Sequence, residues 1–110
     1  MSEIVIVIAA YRPLPEKDAE LLQIVREHYA ILRAENFVTD QIPFVMRSRT
    51  TGTILEVFAW RSADAVEAAH TNERVGYIWR RFAEAAEYVG HASLPECAEP
   101  FAHFEALRWA

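Results

Sequence analysis

The run Ile4-Val5-Ile6-Val7-Ile8-Ala9-Ala10-Tyr11 is apolar on both of its parities. Rich in β-branched residues and too short for a typical helix, it predicts a strand with Val5, Val7, Ala9 and Tyr11 on one face and Ile4, Ile6, Ile8 and Ala10 on the other. A strand apolar on both sides must be covered on both sides, and that requirement constrains everything after it. The run follows Glu3 rather than a basic segment and falls well short of the roughly 20 residues of a membrane helix. With 110 residues in all, the chain is expected to form one domain, 1–110, with little core to spare.

Pro13 and Pro15 close the strand and admit a helix from about Pro15 to Ala34. Its apolar stripe (Leu21, Ile24, His28 and Ile31 beside Leu22, Val25, Tyr29 and Leu32) suits one sheet face. Pro43 to Thr50 and Thr53 to Trp60 read as a hairpin turning at Thr51-Gly52. A two-residue loop would set Arg47 opposite Glu56 and Val45 opposite Phe58. Ser62 is a candidate N-cap for a short helix, Ala63 to His70, and Thr71 or Asn72 caps a longer one reaching about Tyr88. Val89 to Ala92, a turn-rich stretch and a C-terminal strand from Phe101 to Trp109 complete the chain.

The order β-α-β-β-α-α-β plus a terminal strand is α+β. It describes a ferredoxin-like antiparallel sheet with helices on one face. The opposite face would expose Ile4, Ile6, Ile8, Phe58 and Trp60, so a homodimer packed sheet to sheet is expected, with the C-terminal strand a candidate to cross between subunits. Hydrophobic residues at 53% fit that demand. A net charge of -5 argues against a nucleic-acid partner. One cysteine, Cys97, allows no internal disulfide, and with no leader or membrane span the chain reads as cytoplasmic.

These features resemble the antibiotic biosynthesis monooxygenase-like family of dimeric α/β barrels. Three segments carry the likeness: the first strand ending in Tyr11-Arg12-Pro13, the hairpin running Val57-Phe58-Ala59-Trp60-Arg61-Ser62-Ala63-Asp64-Ala65, and His70-Thr71-Asn72 entering the helix with Trp79 and Phe82. The resemblance implies a dimeric α/β barrel with a polar-and-aromatic pocket between sheet and helices, which Tyr11, His70 and Trp79 could furnish. The family's haem-degrading branch has Asn, Trp and His where this chain has Tyr11, Ala69 and Trp79, so haem cleavage is not expected.

Within that frame His70 is the candidate general base, or else a residue suited to the helix dipole. Tyr11 is the candidate donor to a substrate oxyanion, or else a core tyrosine with its hydroxyl at the rim. Trp79 and Phe82 are core by default and candidate substrate walls beside Trp60. Arg47 and Glu56 are either an interfacial ion pair or polar contacts of a ligand cavity. His28, in the middle of an apolar helix face, reads as a satisfied core histidine. His91, Cys97 and His103 match no zinc spacing, and neither a metal nor a cofactor is expected. The expected activity is a cofactor-independent, monooxygenase-like oxidation of a small hydrophobic aromatic or quinol-type molecule. A non-catalytic dimeric module binding a hydrophobic ligand or a protein partner is the alternative.

Overall fold

The computed structural model describes residues 3–109; Met1, Ser2 and Ala110 of the expected 1–110 domain lie outside the described residues. The elements run β1 (Val5–Pro13), α1 (Asp18–Ala34), β2 (Phe44–Arg47), β3 (Ile54–Trp60), α2 (Ala63–Ala69), α3 (Glu73–Ala85), β4 (Ala86–Val89) and β5 (Glu105–Ala106). The strands form one antiparallel sheet in the order β4-β1-β3-β2-β5. This is the ferredoxin-like arrangement, with β1 and β3 at its centre.

Pairing of Val5 with Trp60, Val7 with Phe58, Ala9 with Glu56 and Tyr11 with Ile54 places these residues on one face. That face is covered by α1 and α3, where Leu21, Ile24, Val25, Ile78 and Phe82 pack against Tyr11 and Ile54. Phe58 and Trp60 are therefore buried under the helices with Leu32 and Val75, rather than on the open side where the sequence suggested them. The other face carries Ile4, Ile6 and Ile8, exposed by 59%, 61% and 45%, together with Phe44 at 68%. One end of it is capped by the turn-rich segment, whose Leu94 buries against Ala10 and Leu55. Glu96 fastens that segment to the hairpin by accepting from the Ser48 hydroxyl at 2.8 Å. Burial alone would raise its carboxyl, but bonds from its own amide, Ser48 and Thr50 prevail and hold it below the usual range.

Three expectations change. Phe44 pairs with Val57, Val45 with Glu56 and Arg47 with Ile54, two residues away from the two-residue-loop register. The Ser48 hydroxyl accepts from the amides of Thr50 (3.2 Å) and Thr51 (3.0 Å), winding 48–53 into a wider loop with Gly52 at φ 77°. Arg47 thus does not meet Glu56, and contacts Glu105 at 3.4 Å instead. The long helix stops at Ala85, because Ala86–Val89 pairs with Ala10–Pro13 of β1 and tertiary pairing overrides a helical periodicity. The C-terminal strand shortens to Glu105–Ala106, which pair with Arg47 and Met46 of β2. It pairs with the same chain's β2, and Trp109 beyond it buries beside Tyr29 in the helix-side core.

The caps behave as the sequence implies. Ser62 accepts from the amide of Ala65 and Asn72 from that of Val75, starting α2 and α3. The Asn72 side chain also donates to Glu35 at 2.6 Å, tying the start of α3 to the end of α1. Among the described residues no helix is long and apolar enough to cross a membrane.

Candidate functional site

Two polar side chains stand alone on apolar surfaces that face each other. His28 projects from the middle of the apolar stripe of α1, and Glu56 from the helix-facing side of β3; both are buried, Glu56 to 0% exposure. A buried carboxylate without partners is costly, and these two satisfy one another. His28 Nδ1 lies 3.1 and 3.2 Å from the two Glu56 oxygens. The Tyr11 hydroxyl donates to Glu56 Oε1 at 2.8 Å, and the Trp79 indole N–H donates to His28 Nε2 at 3.1 Å.

An indole nitrogen can only donate, so Nε2 of His28 must accept. In the neutral imidazole the proton then sits on Nδ1, which donates to Glu56. Trp79, His28, Glu56 and Tyr11 form one directed chain, in which Glu56 receives a bond from each side. Burial foremost, then the charge and hydrogen bond of Glu56, push the Tyr11 phenol well above its ordinary range, so it stays protonated. The Tyr11 ring stacks on Phe82 at 4.4 Å, while Phe58 and Phe82 meet the His28 ring edge-on at 5.6 and 5.1 Å. These contacts leave His28 little freedom to turn.

The chain borders an open cleft of about 390 Å³, within the range of small-molecule sites. It is lined mainly by apolar and aromatic side chains, Ala9, Tyr11, Phe58, Trp60 and Phe82, together with the more polar His28, His70, Trp79 and Tyr88. No aliphatic-chain cation or carboxylate lines it; Glu56 acts from behind His28 and Tyr11. Burial raises the Tyr88 phenol as well, so it too remains a neutral hydroxyl. A smaller depression of about 70 Å³ on the open sheet face, bounded by Ile6, Ile42 and Phe44, contains no ionisable group and offers no acid–base chemistry.

Tyr11, Trp60, His70, Trp79 and Phe82, named from the sequence, thus share one cavity. His70 is at its solvent side, exposed, with its ring against Trp79 at 5.2 Å. Its Nδ1 contacts the Val66 carbonyl at 2.8 Å, which fixes a hydrogen there; in the neutral ring Nε2 is then the acceptor. Arg47 is excluded from the cavity, at the β2–β5 edge with Glu105. Glu56 belongs to the site through His28 and not through Arg47. His28 is the residue that sequence reasoning assigned to the core: it is indeed buried and satisfied, yet it also lines the cleft.

No protein-family model matches the chain. No curated protein matches it either. Its fold is similar to that of a conserved protein of unknown function from Bacteroides thetaiotaomicron described as a possible oxidoreductase. The two superpose with a TM-score of 0.68, covering 81% of this chain and 94% of that one, at 13% identity. At that identity the likeness establishes the fold alone.

Proposed function

We propose that the cleft binds a small planar aromatic molecule bearing an acidic hydroxyl, of the phenol or quinol class, and that His28, backed by Glu56, removes its proton to start a cofactor-independent oxidation. The observation carrying this reading is the Glu56–His28 pair beside an aromatic cleft: a carboxylate on Nδ1 orients the imidazole and stabilises the imidazolium that forms when Nε2 takes a proton. The deprotonated ring keeps the electron pair and is the reductant. A quinol and one O2 give a hydroxyquinone and one water, so the ring supplies the electrons that form water from the second oxygen atom. The apolar and aromatic lining favours a ring over a sugar or an amino acid. The possible-oxidoreductase description of the structural neighbour lies in the same direction.

The sequence-level roles shift accordingly. His28 replaces His70 as the base, because it alone has a carboxylate behind it. Tyr11 becomes a positioning residue, its one O–H committed to Glu56. Trp60, Phe82 and Trp79 remain walls, and His70 stands at the entrance. A homodimer formed by the exposed Ile4, Ile6, Ile8 and Phe44 face completes the proposal, since a contiguous apolar patch of this kind is a poor surface to leave in water. The competing reading, a binding module without turnover, draws on the fact that Trp79 already occupies the accepting nitrogen of His28.

The test is O2 uptake with 1,4-naphthoquinol and polycyclic phenols, corrected for spontaneous oxidation, with isotopic oxygen followed into the product. Acceleration that falls about 100-fold or more in His28→Gln is the expected result, the usual share of a general base. Quenching of indole fluorescence by these compounds without any acceleration would leave the binding module and remove the oxidation.

A further inference from the structure

We propose that Trp79 and His28 act as a two-point clamp into which a single substrate hydroxyl inserts, so that the cleft selects hydroxylated aromatics over their ethers. The inference rests on His28 being the base. The indole N–H and imidazole Nε2 satisfy each other at 3.1 Å. Both groups border the cleft, and Trp79 is half-buried, with the exposed His70 ring against it at 5.2 Å rather than a sealed position in the core. The bond thus sets side by side, at the cleft, the donor and the acceptor that a ligand needs.

A hydroxyl group is the ligand chemistry that fits between them. Its oxygen accepts from the indole while its hydrogen is given to Nε2, so inserting it exchanges one hydrogen bond for two and leaves neither ring unpartnered. An ether oxygen can accept from Trp79 but has nothing to give His28, and would orphan a buried acceptor. A carbonyl has the same defect. When the substrate O–H bond breaks, its proton goes to Nε2 and its electron pair stays on oxygen. The new oxyanion then lies between two donors, the imidazolium and the indole. Glu56 steadies the imidazolium from behind, and Phe58 and Phe82 hold the ring in plane. His28 cannot swing to meet a ligand, because its other nitrogen is anchored on Glu56, so the opening movement belongs to Trp79.

The experiment uses the full chain with 2-naphthol, whose ionised and neutral forms absorb differently, and 2-methoxynaphthalene as the ether. In wild type the bound naphthol should ionise at a lower pH than free naphthol, and the ether should bind about tenfold more weakly, the loss of about one hydrogen bond. In Trp79→Phe, which keeps a ring but removes the donor, bound naphthol should ionise about one pH unit higher than in wild type, a tenfold weaker hold on the oxyanion. Ionisation at an unchanged pH in Trp79→Phe, while His28→Gln still raises it, would overturn the clamp and leave the base intact. Bound naphthol that ionises like free naphthol, indifferent to His28→Gln, would overturn the base and the clamp together, as would failure of naphthol to bind. Equal affinity of wild type for naphthol and ether would overturn insertion without recourse to any variant.

Discussion

Replacing Glu56 by Gln tests the directed hydrogen-bond chain with almost no change in shape. The amide retains one accepting oxygen but puts an N–H2 where the second oxygen was. If the oxygen takes the Oε1 place, it can accept from Tyr11 and lies near His28, as Oε1 does at 2.8 and 3.1 Å. The N–H2 then faces the hydrogen on His28 Nδ1 from the Oε2 place, 3.2 Å away. Moving that hydrogen to Nε2 relieves the clash at Glu56 and creates another with the Trp79 N–H, 3.1 Å off. Flipping the amide passes the conflict to Tyr11. Every arrangement leaves one buried donor without an acceptor, at a cost of roughly 1–3 kcal/mol, and the bonds that survive lose their charge assistance. Against this, a neutral amide is cheaper to bury than a carboxylate.

The net expectation is a destabilisation of ~2 kcal/mol, or a fall in Tm of ~8 °C for a domain of this size. Urea unfolding at fixed protein concentration measures it, with Glu105→Gln as the control. Glu105 pairs with Arg47 at a half-exposed edge, and its loss should cost under ~1 kcal/mol. Nitrogen-15 shifts of the His28 ring provide a second readout: the Nδ1–H form in wild type, with Nε2–H populated in the variant. A Glu56→Gln protein as stable as the Glu105→Gln control, with an unchanged His28 tautomer, would refute the proton inventory on which the site rests.

Two further outcomes follow from the same contacts. The Tyr11 phenol is raised in the folded state, so its contribution is fully present below the ordinary tyrosine range near ~10 and is lost as pH rises through the higher folded value. Urea midpoints should hold to about pH 10 and fall above it, with a shallower fall in Tyr11→Phe; equal slopes would mean that burial of Tyr11 is not coupled to alkaline unfolding. Ile6→Lys places a charge in the middle of the exposed sheet face, where Ile6 is 61% exposed, and should convert a wild-type dimer to monomer in sedimentation without loss of helix signal. A monomeric wild type, or an unaffected dimer, would exclude that face as the interface.

Much of the fold is legible in the residues because period and caps are local properties. The short β-branched β1 run, the α1 stripe and the Ser62 and Asn72 caps each specify an element without reference to any other. Where the sequence misleads, a distant partner decides. Ala86 to Val89 is as compatible with one more helical turn as with a strand, until β1 offers it a ladder. Phe101 to Trp109 has strand-like aromatics, but two of its residues pair with β2, and the chain beyond them is held by the burial of Trp109. Strand parity survives such errors and register does not. A shift of two residues keeps Val45, Arg47, Ile54, Glu56, Phe58 and Trp60 on one side while changing every neighbour.

That same shift determines what can be read of the site. Under a two-residue turn, Glu56 has Arg47 across the hairpin and needs nothing from the helices, so His28 remains a core residue of no consequence. Once Ser48 captures the amides of Thr50 and Thr51, the loop widens, Arg47 moves alongside Ile54 and then pairs with Glu105. Glu56 is left facing Val45 on the covered side of the sheet, with no cation beside it. A carboxylate in that position must find donors overhead, and α1 presents one polar side chain on its buried face, His28, while the neighbouring strand presents the Tyr11 hydroxyl. The chemistry of the cleft is thus a consequence of the hairpin loop. A Ser48→Gly chain that favoured the tighter turn would bring Arg47 toward Glu56, compete with His28 for its carboxylate, and weaken the base without altering a single residue that lines the cavity.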